Sequence, residues 1–444
     1  MLAFCLLTKI LADFLSVFYL LTLVLKHATN HTQQRYQQIT HFKIIKMKTL
    51  LIFFVQFMLI SIALQSNLLA QSAIEVKFQP DEYIYIYETK GSGTPIDLYS
   101  TVIQNIAIIN HAKDSVMIKD VEIIATQGDI ELQRVRVPNN LLIESAQKFK
   151  AYQDRGILKY YDFQFQTSRY LNGISFSQTP TLSKEEAIVI THRTLLFQTL
   201  PDLITVKVKA IDSHGEYTFG EASLRVINHK PESQYYFPLK GAWAAYGAPS
   251  LISHHRWGSI QEFAFDFVKI GSDGTTHTGD GSKLTDYYAY GAPVYAIGSG
   301  KVVSISDEET ESNDNLKQPD ETEEEYNQRS VKLQQVLLAK GFSHVMGNRI
   351  IIEHDNGEYS YYLHLKKGSL KVKQGDLVEK GEEIAALGHS GNSTEPHLHF
   401  HLTDGPDMVY SRSIPISFHN ISLYPDYDTD IRHIHYGQII LTND

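Results

Sequence analysis

The most informative segment of the chain is Gly388-His389-Ser390-Gly391-Asn392-Ser393-Thr394-Glu395-Pro396-His397-Leu398-His399-Phe400-His401. Side chains two apart in a strand share a face, so a strand over its second half projects His397, His399 and His401 together. Three imidazoles on one face, beside a glycine-bearing turn, place nitrogen ligands around one ion efficiently. The plainer reading is a row of histidines on the wet face of a sheet. Two further stretches weigh against it. Tyr361-Tyr362-Leu363-His364-Leu365 adds a histidine in a second strand, and Gln261-Glu262-Phe263-Ala264-Phe265-Asp266-Phe267 adds a carboxylate in a third.

Cysteine chemistry is closed to the folded part of this chain. The sole cysteine, Cys5, lies in the apolar amino terminus, so disulfides, cysteine-ligated zinc and a thiol nucleophile are excluded downstream. Any metal must sit on histidine and carboxylate, and 20 histidines are present. A formal charge of -10 without a clustered basic surface argues against a nucleic-acid partner. Part of that charge is local: ten acidic residues face Lys317 between Asp307 and Glu325, the pattern of a solvated surface insertion.

At 444 residues, with a 43% hydrophobic and 20% charged composition, the chain suits two globular domains and a targeting segment. Leu2 to Leu25 is long enough to span a bilayer but contains Lys9 and Asp13, which are costly at membrane depth. Lys46-Met47-Lys48, the apolar run to Leu64 and Leu68-Leu69-Ala70-Gln71 have the order of a secretory signal. Residues 47–70 are therefore expected to be a signal peptide and 1–46 an upstream extension or anchor. Contact with a membrane is expected only if the apolar segment is retained. Either arrangement exports the protein to an extracytoplasmic location.

From 74 to 228 the sequence reads as short strands rich in β-branched and aromatic residues, including Tyr83 to Tyr87, Val102 to Ile109, Val116 to Ile124 and Leu203 to Ile211. One helix is expected near Asn140 to Ala151. The expectation is a β-sandwich-like, immunoglobulin-like domain carrying no chemistry. The polar, proline-bearing stretch 229–235 reads as a linker. A second domain follows over 236–421, an antiparallel β-sheet with an acidic, helical insertion at 306–345. Its strands include Asn348 to His354 and Tyr359 to Leu365, joined by the turn Asp355-Asn356-Gly357-Glu358. Residues 422–444 read as a tail. The chain as a whole is expected to be mainly β.

The run from Gly388 to Phe400 resembles the signature of the lysostaphin-type, or LytM-like, zinc metallopeptidases. The surrounding pieces are similar too: Gly291-Ala292-Pro293-Val294 with Gly300, Gly347-Asn348, Tyr362-Leu363-His364-Leu365, and Gly375-Asp376 followed by Val378 and Lys380-Gly381. The resemblance implies a compact antiparallel sheet with a groove over the metal. It also implies Zn2+ held by Asp266 and His399, with His364 and His397 assisting the water and the tetrahedral intermediate. The substrates implied are peptide cross-links of bacterial cell wall, peptidoglycan.

One position departs from the family pattern. The family's first ligand is a histidine four residues before the aspartate, where this chain has Glu262. Four residues apart, Glu262 and Asp266 are expected on one strand face, so Glu262 could bind zinc itself. Alternatively His254 or His255 reaches in from the stretch just upstream, and His255 is the preferred third ligand. His401, where the family often has glutamate, reads as a neighbour of the ligands. Two functions are thus carried forward: an exported zinc metalloendopeptidase, and a degenerate domain that binds peptide or regulates another cell-wall hydrolase. Both leave room for an activating protein partner.

Overall fold

Alternating apolar residues build the amino-terminal half from two sheets that share one core. The computed structural model describes residues 73–90, 97–230, 233–251, 253–425 and 433–442; the expected extension at 1–46 and signal peptide at 47–70 lie outside them. Among the described residues no helix is long and apolar enough to cross a membrane. Leu203–Asp212 buries Ile204, Val206, Val208 and Ala210, and pairs antiparallel with Val116–Gln127 and Tyr217–Ile227. The other sheet is centred on Asp97–Asn110, between Ile74–Gln79 and Glu186–Phe197. Val76, Ile106, Ile108, Ile188 and Ile190 fill the shared core from that side.

The near-continuous apolar run in Asp97–Asn110 has a physical cause: both of its faces are covered. Ala107 and Ile109 pack on the outside against Phe149, Phe165 and Phe176. Phe149 comes from the helix Asn139–Asp154, which lies where the three-to-four-residue periodicity expects it.

The second half is organised by a ten-stranded antiparallel sheet. Leu398–Thr403 pairs on one side with Tyr359–Leu363 and on the other with Phe265–Val268, which in turn pairs with Ala242–Gly247. Period-two alternation divides these strands. Phe265, Phe267, Leu398, Phe400 and Tyr362 enter the large apolar core, so Asp266, His399, His401 and Tyr361 are turned to the opposite face. The acidic insertion carries the helix Glu323–Lys340. Thr322 and Glu325 cap it reciprocally, and Glu323, Glu324 and Glu325 lie in its first turn, where the helix dipole favours negative charge.

Two segments differ from the sequence expectation. Residues 422–444, expected as a tail, supply all but the first residue of Ile421–Tyr424 and the whole of Ile439–Thr442, a hairpin that extends the sheet beside Ala242–Gly247. Ile421 and Ile440 are buried in its core, which explains why these strands stay docked. The expected linker is likewise packed: Tyr235 is fully buried, its hydroxyl donates to Glu358 over 2.6 Å, and His229 meets the same carboxylate at 2.6 Å.

Candidate metal centre

Asp266 and His399 stand directly opposite each other on paired strands, which brings His399 Nδ1 to 3.0 Å from Asp266 Oδ1. The remaining carboxylate oxygen, Oδ2, faces His255 Nε2 at 3.1 Å. His255 lies on the 3₁₀ turn His254–Trp257, ahead of the sheet strand, and its ring meets that of His399 edge to face at 4.8 Å. His397 Nε2 approaches Oδ1 at 3.4 Å. Gly247, on the neighbouring strand, makes this convergence sterically feasible. A Cβ there would fall 2.4 Å from Asp266 Oδ2 and 2.9 Å from His255 Cε1.

The imidazoles are not on a wet face. His255 is 3% exposed, His399 5%, His401 2% and His364 6%, so the reading as solvated sheet histidines does not apply. Burial favours the neutral forms of His364, His399 and His401. It holds His364 and His401 well below the ordinary histidine value and lowers His399 to about 4, against the opposing pull of Asp266. At His397 burial is the largest single influence and acts in the same direction, but the charge and hydrogen bond of Asp266, together with Glu395, outweigh it and raise the pKa. Burial alone would raise Asp266, yet the charges of His255 and His397 hold it well below the usual carboxylate range.

Hydrogen bonds set the tautomers of the two outer histidines. His364 Nδ1 donates to the Ser390 carbonyl over 2.8 Å, and His397 Nδ1 donates to the Glu395 carbonyl over 2.7 Å. Each ring therefore leaves Nε2 for the site. The rings lie 4.9 Å apart, and His364 is 5.8 Å from His399. His364 has φ of 59°, an unusual backbone for a residue with a side chain, of the kind that clusters at functional sites. His401 Nδ1 lies 3.1 Å from His399 Nε2, and the His401 ring stacks on Tyr361 at 4.7 Å.

Whether a metal fits can be judged from the donors. Ligand distances of about 2.0–2.1 Å around a tetrahedral ion place neighbouring donor atoms about 3.3 Å apart. The His255–Asp266 and His399–Asp266 separations of 3.1 and 3.0 Å are close to such edges. Two imidazole nitrogens and an ionised carboxylate are also the donor chemistry that zinc accepts. His254, His255 and Asp266 offer ligand atoms within 4.8 Å of one another as well, but His254 is exposed whereas His399 is buried. The residues present fit a divalent ion.

Glu262 is placed elsewhere. The sheet strand begins only at Phe265, and Glu262 ends a short 3₁₀ turn, so the same-face relation expected for positions four apart in a strand does not hold. Its buried carboxylate accepts from Arg256 Nη2 at 2.9 Å and from Gln104 Nε2 at 3.3 Å. Sequence reasoning missed this pairing. A charged residue amid Phe263, Ala264 and Phe265 was the available signal that Glu262 needed a buried cation.

Residues 282–410 match the model of Peptidase family M23. That span contains His364, His397, His399 and His401 and stops short of Asp266 and His255. The chain is similar to peptidoglycan DD-endopeptidase ShyB of Vibrio cholerae, 33% identical over 112 residues, which is 25% of this chain and 18% of that protein. It is also similar to lysostaphin of Staphylococcus simulans, 47% identical over 55 residues, 12% of this chain and 11% of that protein. These matches thus span well under two thirds of either relative. Among solved structures, a zinc-containing peptidase from Vibrio cholerae aligns over 72% of this chain and 79% of its own at 15% identity, with a TM-score of 0.23. It is over residues 282–410, with the motifs they contain, that this chain resembles Peptidase family M23, the lysostaphin-like metallopeptidases.

Proposed function

We propose that this chain is an exported, zinc-dependent endopeptidase acting on peptidoglycan cross-links outside the cytoplasm. The observation that carries the reading is the single carboxylate of Asp266 flanked by His255 Nε2 and His399 Nδ1. In this proposal His255, Asp266 and His399 hold the ion. Zinc at that position supplies a Lewis acid that polarises a scissile carbonyl and brings the pKa of a water toward ~7.

The chain's own residues then handle protons. His364, kept neutral by burial, presents a free Nε2 that can accept a proton from an attacking water. His397, fixed through Nδ1 to the Glu395 carbonyl, turns Nε2 toward the same space and, when protonated, donates to the oxyanion that develops. A dication beside Asp266 opposes the raised pKa of His397, so the division of labour in the loaded site rests on which nitrogens are free. The name of the ShyB relative supports peptidoglycan as substrate, and the signal-like segment 47–70 supports export.

The test combines zinc content with hydrolysis of purified peptidoglycan followed by mass spectrometry of the released peptides. One zinc per chain and new peptide ends, with hydrolysis abolished in His364→Ala, are expected. Zinc uptake with no hydrolysis, and a peptidoglycan affinity unchanged in His364→Ala, would instead identify a binding domain.

A further inference from the structure

The turn that presents His255 is not one of the strands of its sheet. In the arrangement expected from the family, the first ligand sits on the same strand as the aspartate and shares its ladder. Here His255 lies ahead of that strand, on His254–Trp257, and something else must hold the turn.

Four side chains of the amino-terminal two-sheet half do so. Arg256, the residue next to His255, is 1% exposed; its Nη1 donates to Ser100 Oγ at 2.8 Å and its Nη2 to the Ser100 carbonyl at 3.4 Å. Gln104, from the same strand as Ser100, donates to the Arg256 carbonyl at 2.8 Å while also reaching Glu262. His192 Nε2 lies 3.2 Å from the Trp257 carbonyl, its ring parallel to the Trp257 indole at 5.7 Å. Gln166 donates to Ser259 Oγ at 3.1 Å. The buried Arg256–Glu262 pair closes the loop on itself over 2.9 Å. Breaking one partner of such a pair leaves an uncompensated buried charge, so the pair has strong reason to stay together.

We infer that the amino-terminal half is part of the metal centre: Gln104 and Ser100 act as positioning residues that hold His255 against Asp266 through the Arg256–Glu262 pair. The anchoring is a second tier of contacts behind a ligand, and disturbing such contacts typically weakens metal binding 10–100-fold. The inference rests on the proposed metal site, and its tests separate the two.

The experiment uses the full chain in wild-type form and as His255→Ala, Gln104→Ala and the double variant Arg256→Met with Glu262→Met. The double variant replaces the ion pair by apolar side chains of similar length and so avoids a stranded charge. Zinc affinity is read by competition with a chromogenic chelator, folding by cooperative thermal unfolding, and the His255 ring by side-chain nuclear magnetic resonance of the metal-free protein. Gln104→Ala and the double variant should unfold cooperatively, bind zinc about 10–100-fold more weakly and shift the His255 ring signals while those of His364 stay in place. Folded variants that bind zinc within twofold of wild type and keep the His255 signals, while His255→Ala loses zinc, would overturn the inference. A wild-type chain that takes up no zinc sinks the metal reading alone, because the His255 signals still report the anchoring.

Discussion

Asp266 and His399 face each other across adjacent antiparallel strands, the imidazole Nδ1 3.0 Å from the carboxylate Oδ1. This register pair puts an anion and a neutral nitrogen donor on one buried face before any loop contributes. Asp266→Asn keeps the shape and removes the charge. Zinc affinity should fall by more than about 100-fold, beyond the range usual for residues behind the ligands. Titration calorimetry with zinc chloride checks it.

Gly247 is a steric requirement of the same site. A methyl group there meets Asp266 Oδ2 at 2.4 Å and His255 Cε1 at 2.9 Å, so Gly247→Ala must displace the carboxylate, the imidazole or both. The variant should keep its far-ultraviolet circular dichroism spectrum and lose at least about tenfold in zinc affinity, the scale of a disturbed ligand geometry. Unchanged affinity would show that neither residue needs its observed position.

His401 offers a test of tautomer control. For Nδ1 of His399 to face an ion, its Nε2 must carry the proton, and His401 Nδ1 at 3.1 Å is placed to accept it. His401→Phe preserves the stacking surface toward Tyr361 but removes the acceptor. A loss of about 10–100-fold in zinc affinity with little change in thermal midpoint is expected from a partner behind a ligand.

Acid should unfold the metal-free protein through its buried neutral histidines. His389, 1% exposed, is lowered by burial to about 4. The unfolded chain takes up a proton near the ordinary histidine value of ~6.5, whereas the folded chain resists until about 4. Stability from this group is therefore complete above ~6.5 and declines as pH falls toward 4, by roughly 3 kcal/mol in all. Thermal midpoints of metal-free protein between pH 7 and 4 should show this decline, and His389→Asn should lessen it.

Much of the centre was legible in the sequence because strands have a period of two. His399 and His401 share a face, and Asp266 lies on a neighbouring strand of the same sheet. What escaped was where the period stops. The spacing of Glu262 from Asp266 suits a continuous strand, but the chain turns at Ser259–Gln261 and enters the sheet only at Phe265. The partners of Arg256 escaped too, since Ser100 and Gln104 lie more than 150 residues away and carry no local signal. The strands at Ile421–Tyr424 and Ile439–Thr442 are four residues each, too short for alternation to stand out from a polar tail.

The central claim is one divalent ion shared by residues from three separate stretches of chain. Anomalous diffraction collected above and below the zinc absorption edge, on crystals of the zinc-loaded full chain, addresses it directly. A single strong peak bonded by His255, Asp266 and His399 is expected, with His364 and His397 beside it but not bonded. A peak away from Asp266, or zinc held by His254 and His255 with His399 unattached, would contradict it.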